Sequence, residues 1–202
     1  MKTTTKFWKL LPVAAAALAL GGCGGGGSDD SSDTQGDGKS IVDCFTVNKT
    51  VSFSLAHSNV PANTIPATRS TTGPMTYNGQ AVTGQTFFVS YQNKTYTSTN
   101  YWLVTSSGVT RIGTVAYDGT AIPDGTVLQN NMNPGQTATN PSNGVTTFVG
   151  FETINFDGKT FSTCHIKEVT LQGEQAEEWY APGYGQVKAI SPDGNTQYNG
   201  DL

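Results

Sequence analysis

The region after residue 40 alternates short apolar segments with turn-forming residues, and no window of ten or more residues there shows helical periodicity. Gly, Asn, Pro and Thr interrupt every candidate helix, whereas strand-like segments recur at short spacing. Asp118-Gly119 and Asp157-Gly158 are strong hairpin-turn signals. Consecutive strands joined by tight turns form antiparallel sheets. The sequence therefore predicts a single all-β, antiparallel domain over residues 41–202.

Two architectures fit this pattern, a sandwich or a curved sheet that closes into a half-barrel. The turn-rich segment 122–141 is predicted to be a long irregular excursion. Because no long helix is available to fill a half-barrel, the loop around 120–144 is expected to do so. The predicted strands cover residues 41–47, 51–55, 81–91, 95–104, 109–117, 145–156, 159–169, 177–180, 186–190 and 196–198.

The first 22 residues have the features of a secretory signal peptide. Three lysines precede an apolar run over residues 10–20, which would span about 16 Å as a helix and cannot cross a ~30 Å hydrocarbon core. The run ends in Leu20-Gly21-Gly22-Cys23, which resembles the bacterial lipobox. That resemblance implies cleavage before Cys23 and attachment of diacylglycerol, with further acyl chains such as palmitate, at its thiol. The alternative is an ordinary secretory signal cleaved nearby, which leaves Cys23 as a free thiol.

Residues 23–40 are predicted to be a flexible Gly/Ser/Asp tether with a reach of roughly 20–25 Å, because they contain almost nothing apolar to bury. Removal of residues 1–22 takes away three lysines and no acid, so the net charge changes from −4 to −7. Such an acidic chain is not expected to bind nucleic acid. The lipobox resemblance implies a membrane partner reached through the N-terminal lipid. Gly24, in place of Asp, points to the outer membrane, with the periplasmic or surface side left open.

Two cysteines remain once Cys23 is assigned to lipid. Cys44 and Cys164 lie in strand-like contexts, and the cell envelope is oxidising, so a disulfide between them is predicted. It would close a loop of 119 residues and tie the first strand to a late one. The alternative is a pair of buried, reduced thiols. No C-x-x-C motif is present, so a redox enzyme is not predicted.

No catalytic or metal motif is present in the sequence. It lacks a G-x-S-x-G elbow and an H-E-x-x-H motif, and its two histidines, His57 and His165, have no close set of sequence partners for zinc. Glu152 and the Glu174–Glu178 cluster could serve a hydrolase with dispersed carboxylates, but a solvated hairpin is the preferred interpretation. We therefore assign no catalytic residue, no metal and no cofactor, and we expect a non-enzyme.

Aromatic residues are concentrated in the predicted strands between residues 87 and 102. They are expected to form cross-strand pairs in the sheet core, with a stacking platform for sugars as the alternative. Trp102 breaks the expected alternation of apolar and polar residues. Trp102 and its neighbour Tyr101 are therefore the candidate ligand-binding residues. The group comprises Phe87, Phe88, Tyr91, Tyr96, Tyr101 and Trp102.

The most distinctive segment is W-Y-A-P-G-Y-G-Q-V-K, residues 179–188, which predicts a strand, a tight turn and a second strand. Together with the hairpin around 156–161 it resembles a group of uncharacterised bacterial envelope lipoproteins that end in W-Y-A-x-G-x-G-x-V-K. The resemblance covers residues 145–190. It implies that the motif closes a curved antiparallel sheet, and it transfers no catalytic residue.

Three functional hypotheses follow. The first is a membrane-anchored, non-enzymatic binding or scaffold module whose concave sheet face holds an apolar or lipid-like ligand, by analogy with half-barrel carriers. The alternative is a surface protein that binds polysaccharide or a protein partner through an aromatic sheet face. The third is a hydrolase with dispersed carboxylates. The ligand and the oligomeric state stay open.

Overall fold

The computed structural model describes residues 39–57, 67–91, 93–139, 144–156, 158–194 and 196–200. Cys23, the signal peptide and most of the tether lie outside these residues. The prediction of an all-β domain is confirmed. The elements are α1 (Ile41–Phe45), β1 (Val51–His57), β2 (Ala67–Tyr77), β3 (Gln80–Tyr91), β4 (Lys94–Thr105), β5 (Gly108–Val115), β6 (Ala121–Pro123), β7 (Val127–Gln129), β8 (Thr137–Thr139), β9 (Val145–Phe156), β10 (Lys159–Val169), β11 (Gln175–Ala181), β12 (Gly185–Ile190) and β13 (Thr196–Gly200).

The thirteen described strands form one hydrogen-bonded sheet in the order β6-β5-β4-β3-β2-β1-β13-β12-β11-β10-β9-β8, with β7 paired to β5. Each pairing is antiparallel, and most join strands that are consecutive in the sequence. The exceptions are β5 with β7 and β1 with β13, and the second of these brings the two ends of the domain together in the middle of the sheet. We call β1–β7 the first half and β8–β13 the second half.

The sheet curves so strongly that its two halves face each other. Helix α1 contacts β4 and β5 on one side and β10 and β11 on the other, although these pairs lie far apart in the strand order. Gln85 of β3 also hydrogen-bonds the backbone of Gln186 in β12. A flat sheet would separate all of these groups. The structure thus has a single curved sheet, with α1 on its concave side.

The prediction of a strand over 41–47 is wrong, because residues 41–45 form helix α1. Ser40 caps this helix: its Oγ accepts a hydrogen bond from the backbone N–H of Asp43, and the Asp43 carboxylate accepts one from the backbone N–H of Ser40. Ile41, Cys44 and Phe45 are buried by the turn. A single helical turn is too short for its periodicity to be distinguished from strand alternation.

Strand β2 was not predicted from the sequence, because Gly73 and Pro74 interrupt it and most of its other residues are Thr, Ser, Ala or Arg. It is nevertheless paired with both β1 and β3. The excursion over 122–141 holds three short strands, and Leu128 from it lies in the concave core. Together, α1 and this excursion fill the concave side.

Among the described residues, two clusters of buried apolar side chains stand out, one on each side of the sheet. The concave core surrounds α1 and the convex cluster lies on the second half. The concave core contains Ile41, Cys44, Phe45, Trp102, Val109, Leu128, Phe148, Cys164, Ile166 and Tyr180. The convex cluster contains Phe161, Trp179, Ala181 and Val187, with Ile154, Tyr184 and Ile190 against it.

Candidate functional site

Cys44 of α1 and Cys164 of β10 form a disulfide, with their Cα atoms 6.0 Å apart. Both side chains are buried in the concave core. The predicted pairing is therefore present, but it joins a helix to a late strand rather than two strands. Its position holds α1 against the second half of the sheet.

Trp102 lies in the concave core with 2% of its surface exposed. Its indole Nε1 donates a hydrogen bond to the backbone oxygen of Phe45 at 3.0 Å. The ring meets Phe45 edge-on at a centroid distance of 5.7 Å and Tyr180 at 6.1 Å. This environment agrees with the structural interpretation of the aromatic group, and it leaves no face of the Trp102 ring for a ligand on the outer surface.

Arg111 of β5 joins the two halves of the sheet from the concave side. Its Nε lies 3.2 Å from Asp124, and its Nη1 forms an ion pair with Glu168 of β10. The same nitrogen lies 3.7 Å from Glu178 of β11. Thr126 orients Asp124, because its backbone N–H and hydroxyl both donate to the Oδ1 atom. One half-buried cation thus meets three carboxylates.

The charges of this network alter two pKa values. Burial opposes the charged form of Arg111, but the carboxylates of Glu178 and Asp124 outweigh it and raise the pKa of the guanidinium. Burial raises the pKa of Tyr180 well above its ordinary value, and the negative charge of Glu178 raises it further. The Tyr180 hydroxyl donates to Glu178 at 3.0 Å. At neutral pH the network therefore holds a charged Arg111 and a neutral Tyr180.

A second polar bridge crosses the concave side beside Arg111. The Gln85 side chain donates to the backbone oxygen of Gln186 at 3.1 Å and accepts from its N–H at 2.9 Å. The side-chain amide of Gln186 then donates to the Glu178 carboxylate at 2.8 Å. Gly185 makes this approach possible, because a Cβ there would lie 2.9 Å from Thr72 and 3.0 Å from Gln85. These contacts make the interior polar on one side of α1.

The convex face of the second half carries a histidine between two carboxylates. His165 Nδ1 lies 3.1 Å from Glu152 and its Nε2 lies 3.0 Å from Glu177. The imidazole stacks on Trp179 at a centroid distance of 4.2 Å, and Lys188 Nζ lies 3.8 Å from the same indole centroid. Glu152 also accepts a hydrogen bond from the Trp179 indole. The histidine and its partners therefore satisfy one another and link β9, β10, β11 and β12.

The convex face of the first half carries Tyr101, the second sequence candidate. Its ring stacks on Tyr77 of β2 at a centroid distance of 4.4 Å, and both residues are half-buried. The pair covers Gly84 of β3, where a Cβ would lie 3.3 Å from the Tyr101 ring. Tyr101 and Trp102 are neighbours in a regular strand, so their side chains point to opposite faces. The aromatic face available to a partner is therefore that of Tyr77 and Tyr101.

The same convex face carries a row of hydroxyl groups. Ser52, Thr71, Thr86 and Thr99 are direct cross-strand neighbours on β1 to β4. The Ser52 and Thr71 oxygens lie 3.1 Å apart, and the Thr86 and Thr99 oxygens 2.9 Å apart. We call this set the hydroxyl row. It is bordered on one side by the Tyr77–Tyr101 pair.

On the other side of the hydroxyl row, Arg69 and Phe88 form a cross-strand pair. The Arg69 guanidinium carbon lies 4.7 Å from the Phe88 ring centroid. Stacking on an aromatic ring leaves the N–H groups at the edge of a guanidinium directed away from the ring. The convex face of the first half therefore combines a cation, hydroxyl groups and stacked aromatic rings.

Glu177 and Glu178, adjacent in sequence, point to opposite faces, one to His165 and the other to the Arg111 network. In the described part of the chain, no three His, Cys, Asp or Glu side chains are grouped in a way that could hold a metal ion.

Across residues 39–200, where described, no helix is long and apolar enough to cross a bilayer.

Sequence reasoning missed Arg111, Gln85 and the hydroxyl row. Arg111 carries no motif, and its three partners are brought to it by the curvature of the sheet. The hydroxyl row could not be found without the strand β2 that supplies Thr71. One sequence signal was available: residues 44–117 contain four basic residues and no aspartate or glutamate.

No protein-family model matches this chain. No curated protein matches it either. Among solved structures, it is similar to a Bacteroides fragilis protein with a YmcC-like fold that is named as a candidate exported protein, at 13% sequence identity and a TM-score of 0.45. The match covers 77% of this chain and 96% of that one.

Proposed function

We propose that this protein is a lipid-anchored envelope protein whose β-domain is a non-enzymatic binding module, and that it binds polysaccharide or a protein partner through the convex face of its first half. The anchor rests on the lipobox resemblance at Cys23, and a two-chain or three-chain lipid would hold the domain at a membrane almost permanently. The outer membrane remains the preferred location, because Gly24 follows that cysteine.

One observation carries the choice of surface: the concave side is already occupied. Helix α1, the disulfide and Trp102 fill its apolar part, and the Arg111 and Gln85 contacts make its remaining part polar. A lipid-like ligand there would have to displace core side chains or desolvate ion pairs, and both changes are costly. The convex face, with the Tyr77–Tyr101 pair, needs no such rearrangement.

The anchor is tested with Cys23→Ser. We expect the wild-type protein, extracted in detergent, to show the mass of an acylated chain beginning at Cys23. The variant should lose acylation and leave the membrane fraction. A wild-type polypeptide that begins elsewhere and carries no fatty acid would contradict the anchor.

The binding surface is tested with Tyr101→Ala on full-length protein applied to an immobilised panel of envelope polysaccharides. We expect the variant to lose about two- to tenfold in affinity, since aromatic contacts of this kind contribute about 0.5–1.5 kcal/mol. Tyr117→Ala is the matched control, because Tyr117 is an exposed tyrosine just beyond β5. If the wild type binds a polymer and Tyr101→Ala binds it as tightly, the convex face is not the binding surface.

A further inference from the structure

We infer that the convex face of the first half binds an anionic polysaccharide, with Arg69 contacting its acidic groups and the hydroxyl row its sugar hydroxyls. This inference rests on the proposed function and narrows its ligand to one class. It is carried by the charge distribution of the chain, the geometry of the hydroxyl row and the position of Arg69 beside it.

Residues 44–117, which hold β1 to β5, form a positively charged stretch in an acidic protein. Between Asp43 and Asp118 the chain has no acidic residue, and its four basic residues are Lys49, Arg69, Lys94 and Arg111. The rest of the chain after residue 22 carries all fifteen acidic residues and four lysines. Arg111 points into the concave side, Arg69 is exposed on the convex face, and Lys49 and Lys94 are exposed elsewhere in the same stretch. An anionic polymer would therefore be attracted to this face and repelled by the remainder of the domain.

The hydroxyl row suits a sugar polymer. Neighbouring strands are about 4.8 Å apart, so the exposed or half-buried hydroxyls of Ser52, Thr71 and Thr86 form a line of roughly 10 Å across the sheet, and buried Thr99 supports Thr86 from the next strand. Within each hydrogen-bonded pair, Ser52 with Thr71 and Thr86 with Thr99, one hydroxyl uses its proton on the other. The second hydroxyl keeps its own proton, and both oxygens keep lone pairs, so the row offers donors as well as acceptors.

Arg69 supplies the selectivity for acidic groups. It is an exposed residue on β2, and its guanidinium is packed on the Phe88 ring, which restricts its orientation before a ligand arrives. A guanidinium fits carboxylate, sulfate or phosphate oxygens with paired N–H donors. The Tyr77–Tyr101 pair on the opposite side of the hydroxyl row offers an aromatic surface for a sugar ring.

The test measures polymer binding by the full mature chain carrying Cys23→Ser, which keeps the protein out of membranes. The probes are two matched pairs: polygalacturonate with its carboxyl-reduced derivative, and dextran sulfate with dextran. We expect at least one charged polymer to bind about tenfold or more tightly than its neutral counterpart, with an advantage that shrinks as salt is raised. Arg69→Gln should remove most of that advantage. Lys167→Gln, which makes the same charge change on β10, should leave it intact.

A second variant distinguishes the contribution of the hydroxyl row to affinity from the contribution of Arg69. Thr86→Val with Thr99→Val preserves shape and removes two hydroxyls, so affinity for the charged polymer should fall while the Arg69-dependent salt sensitivity persists. Circular dichroism, together with a mass measurement that detects the Cys44–Cys164 disulfide, would check that each variant folds.

Three outcomes would overturn the inference. Equal binding of charged and neutral polymers, still dependent on Tyr101, would overturn the choice of an anionic ligand and leave the proposed function standing. Retention on phosphatidylglycerol vesicles that is lost in Arg69→Gln, without binding to any polymer, would replace the polysaccharide with a lipid surface. Failure to bind the four polymers and the vesicles would also overturn it, and the polysaccharide panel with Tyr101→Ala would then decide the proposed function independently.

Discussion

At the scale of single residues, close backbone approach explains the distinctive W-Y-A-P-G-Y-G-Q-V-K segment. Gly183 and Gly185 both have positive φ, but only Gly185 faces other groups, namely Thr72 and Gln85 on the opposite half of the sheet. The motif therefore places a backbone where no side chain fits. Its tryptophan packs on the convex side and its tyrosine on the concave side, because successive side chains of a strand point to opposite faces.

Gly185→Ala should destabilise the protein more than a glycine substitution in an open turn. An alanine with positive φ costs about 1–2 kcal/mol, and at position 185 its Cβ would also overlap Thr72 and Gln85. Gly173→Ala is the control, because Gly173 has a similar φ of 79° with nothing within 4 Å of the added Cβ. Urea unfolding would measure both free energies. Equal losses would contradict the packing argument.

Tyr180 should make the protein sensitive to alkali. Its pKa in the folded state is raised, chiefly by burial, so the unfolded state loses the phenolic proton first as pH rises. The folded state then binds more protons than the unfolded state, and stability falls above about pH 10, the ordinary tyrosine pKa. In Tyr180→Phe this decline should be shallower, although the lost hydrogen bond to Glu178 lowers stability by about 1 kcal/mol at neutral pH. Urea unfolding at pH 8 to 11 tests this, and identical slopes would refute it.

At the scale of secondary-structure elements, α1 depends on its surroundings. A five-residue helix is unstable alone. It is held by its Ser40–Asp43 cap, by the Cys44–Cys164 bond and by burial of Phe45, whose ring stacks on Tyr180 at a centroid distance of 4.3 Å. The helix therefore depends on the curvature of the sheet, and it also occupies the space that the curvature creates.

Replacing Cys44 and Cys164 with alanine should lower the free energy of unfolding by about 4–5 kcal/mol, because the crosslink closes a loop of about 120 residues in the unfolded chain. Hydrogen exchange should accelerate first in α1, since five residues without the crosslink have little independent stability. Native-state exchange with mass spectrometry would localise the change. Unchanged protection of residues 41–45 would contradict the role given to the disulfide.

At the scale of the whole molecule, the two halves of the sheet carry opposite charge and meet at Arg111. The first half contributes the cation, and the second half contributes Glu168 and Glu178. Asp124, between β6 and β7 of the first half itself, completes the set. The charge asymmetry thus has two consequences: it pairs the halves across the concave side, and it leaves Arg69 on a convex face whose strands β1 to β5 carry no acidic residue.

Arg111→Met should destabilise the whole domain by about 3–5 kcal/mol, because three carboxylates would then face one another without a cation in a partly buried space. Adding Glu168→Gln and Glu178→Gln to the same chain should restore a substantial part of that loss. Thermal and urea unfolding of the single and triple variants test the coupling. A triple variant no more stable than Arg111→Met would argue against the electrostatic explanation.

Local sequence chemistry determined the class of fold and most of the strands. Alternating apolar residues and strong turn signals gave β9 and β10 at their observed bounds, and the envelope context gave the pairing of the two cysteines. These features depend on neighbouring residues in the chain or on the oxidising environment of the cell envelope, so sequence patterns are sufficient to predict them.

The tertiary structure decided what the patterns could not. It made residues 41–45 a helix, gave Gly- and Pro-containing β2 two partners, and directed Trp102 inward and Tyr101 outward. It also brought Arg111 to acidic residues more than fifty positions away. The physical reason is that these contacts depend on the curvature of the complete sheet, which is the sum of many strand pairings and is encoded in no single segment.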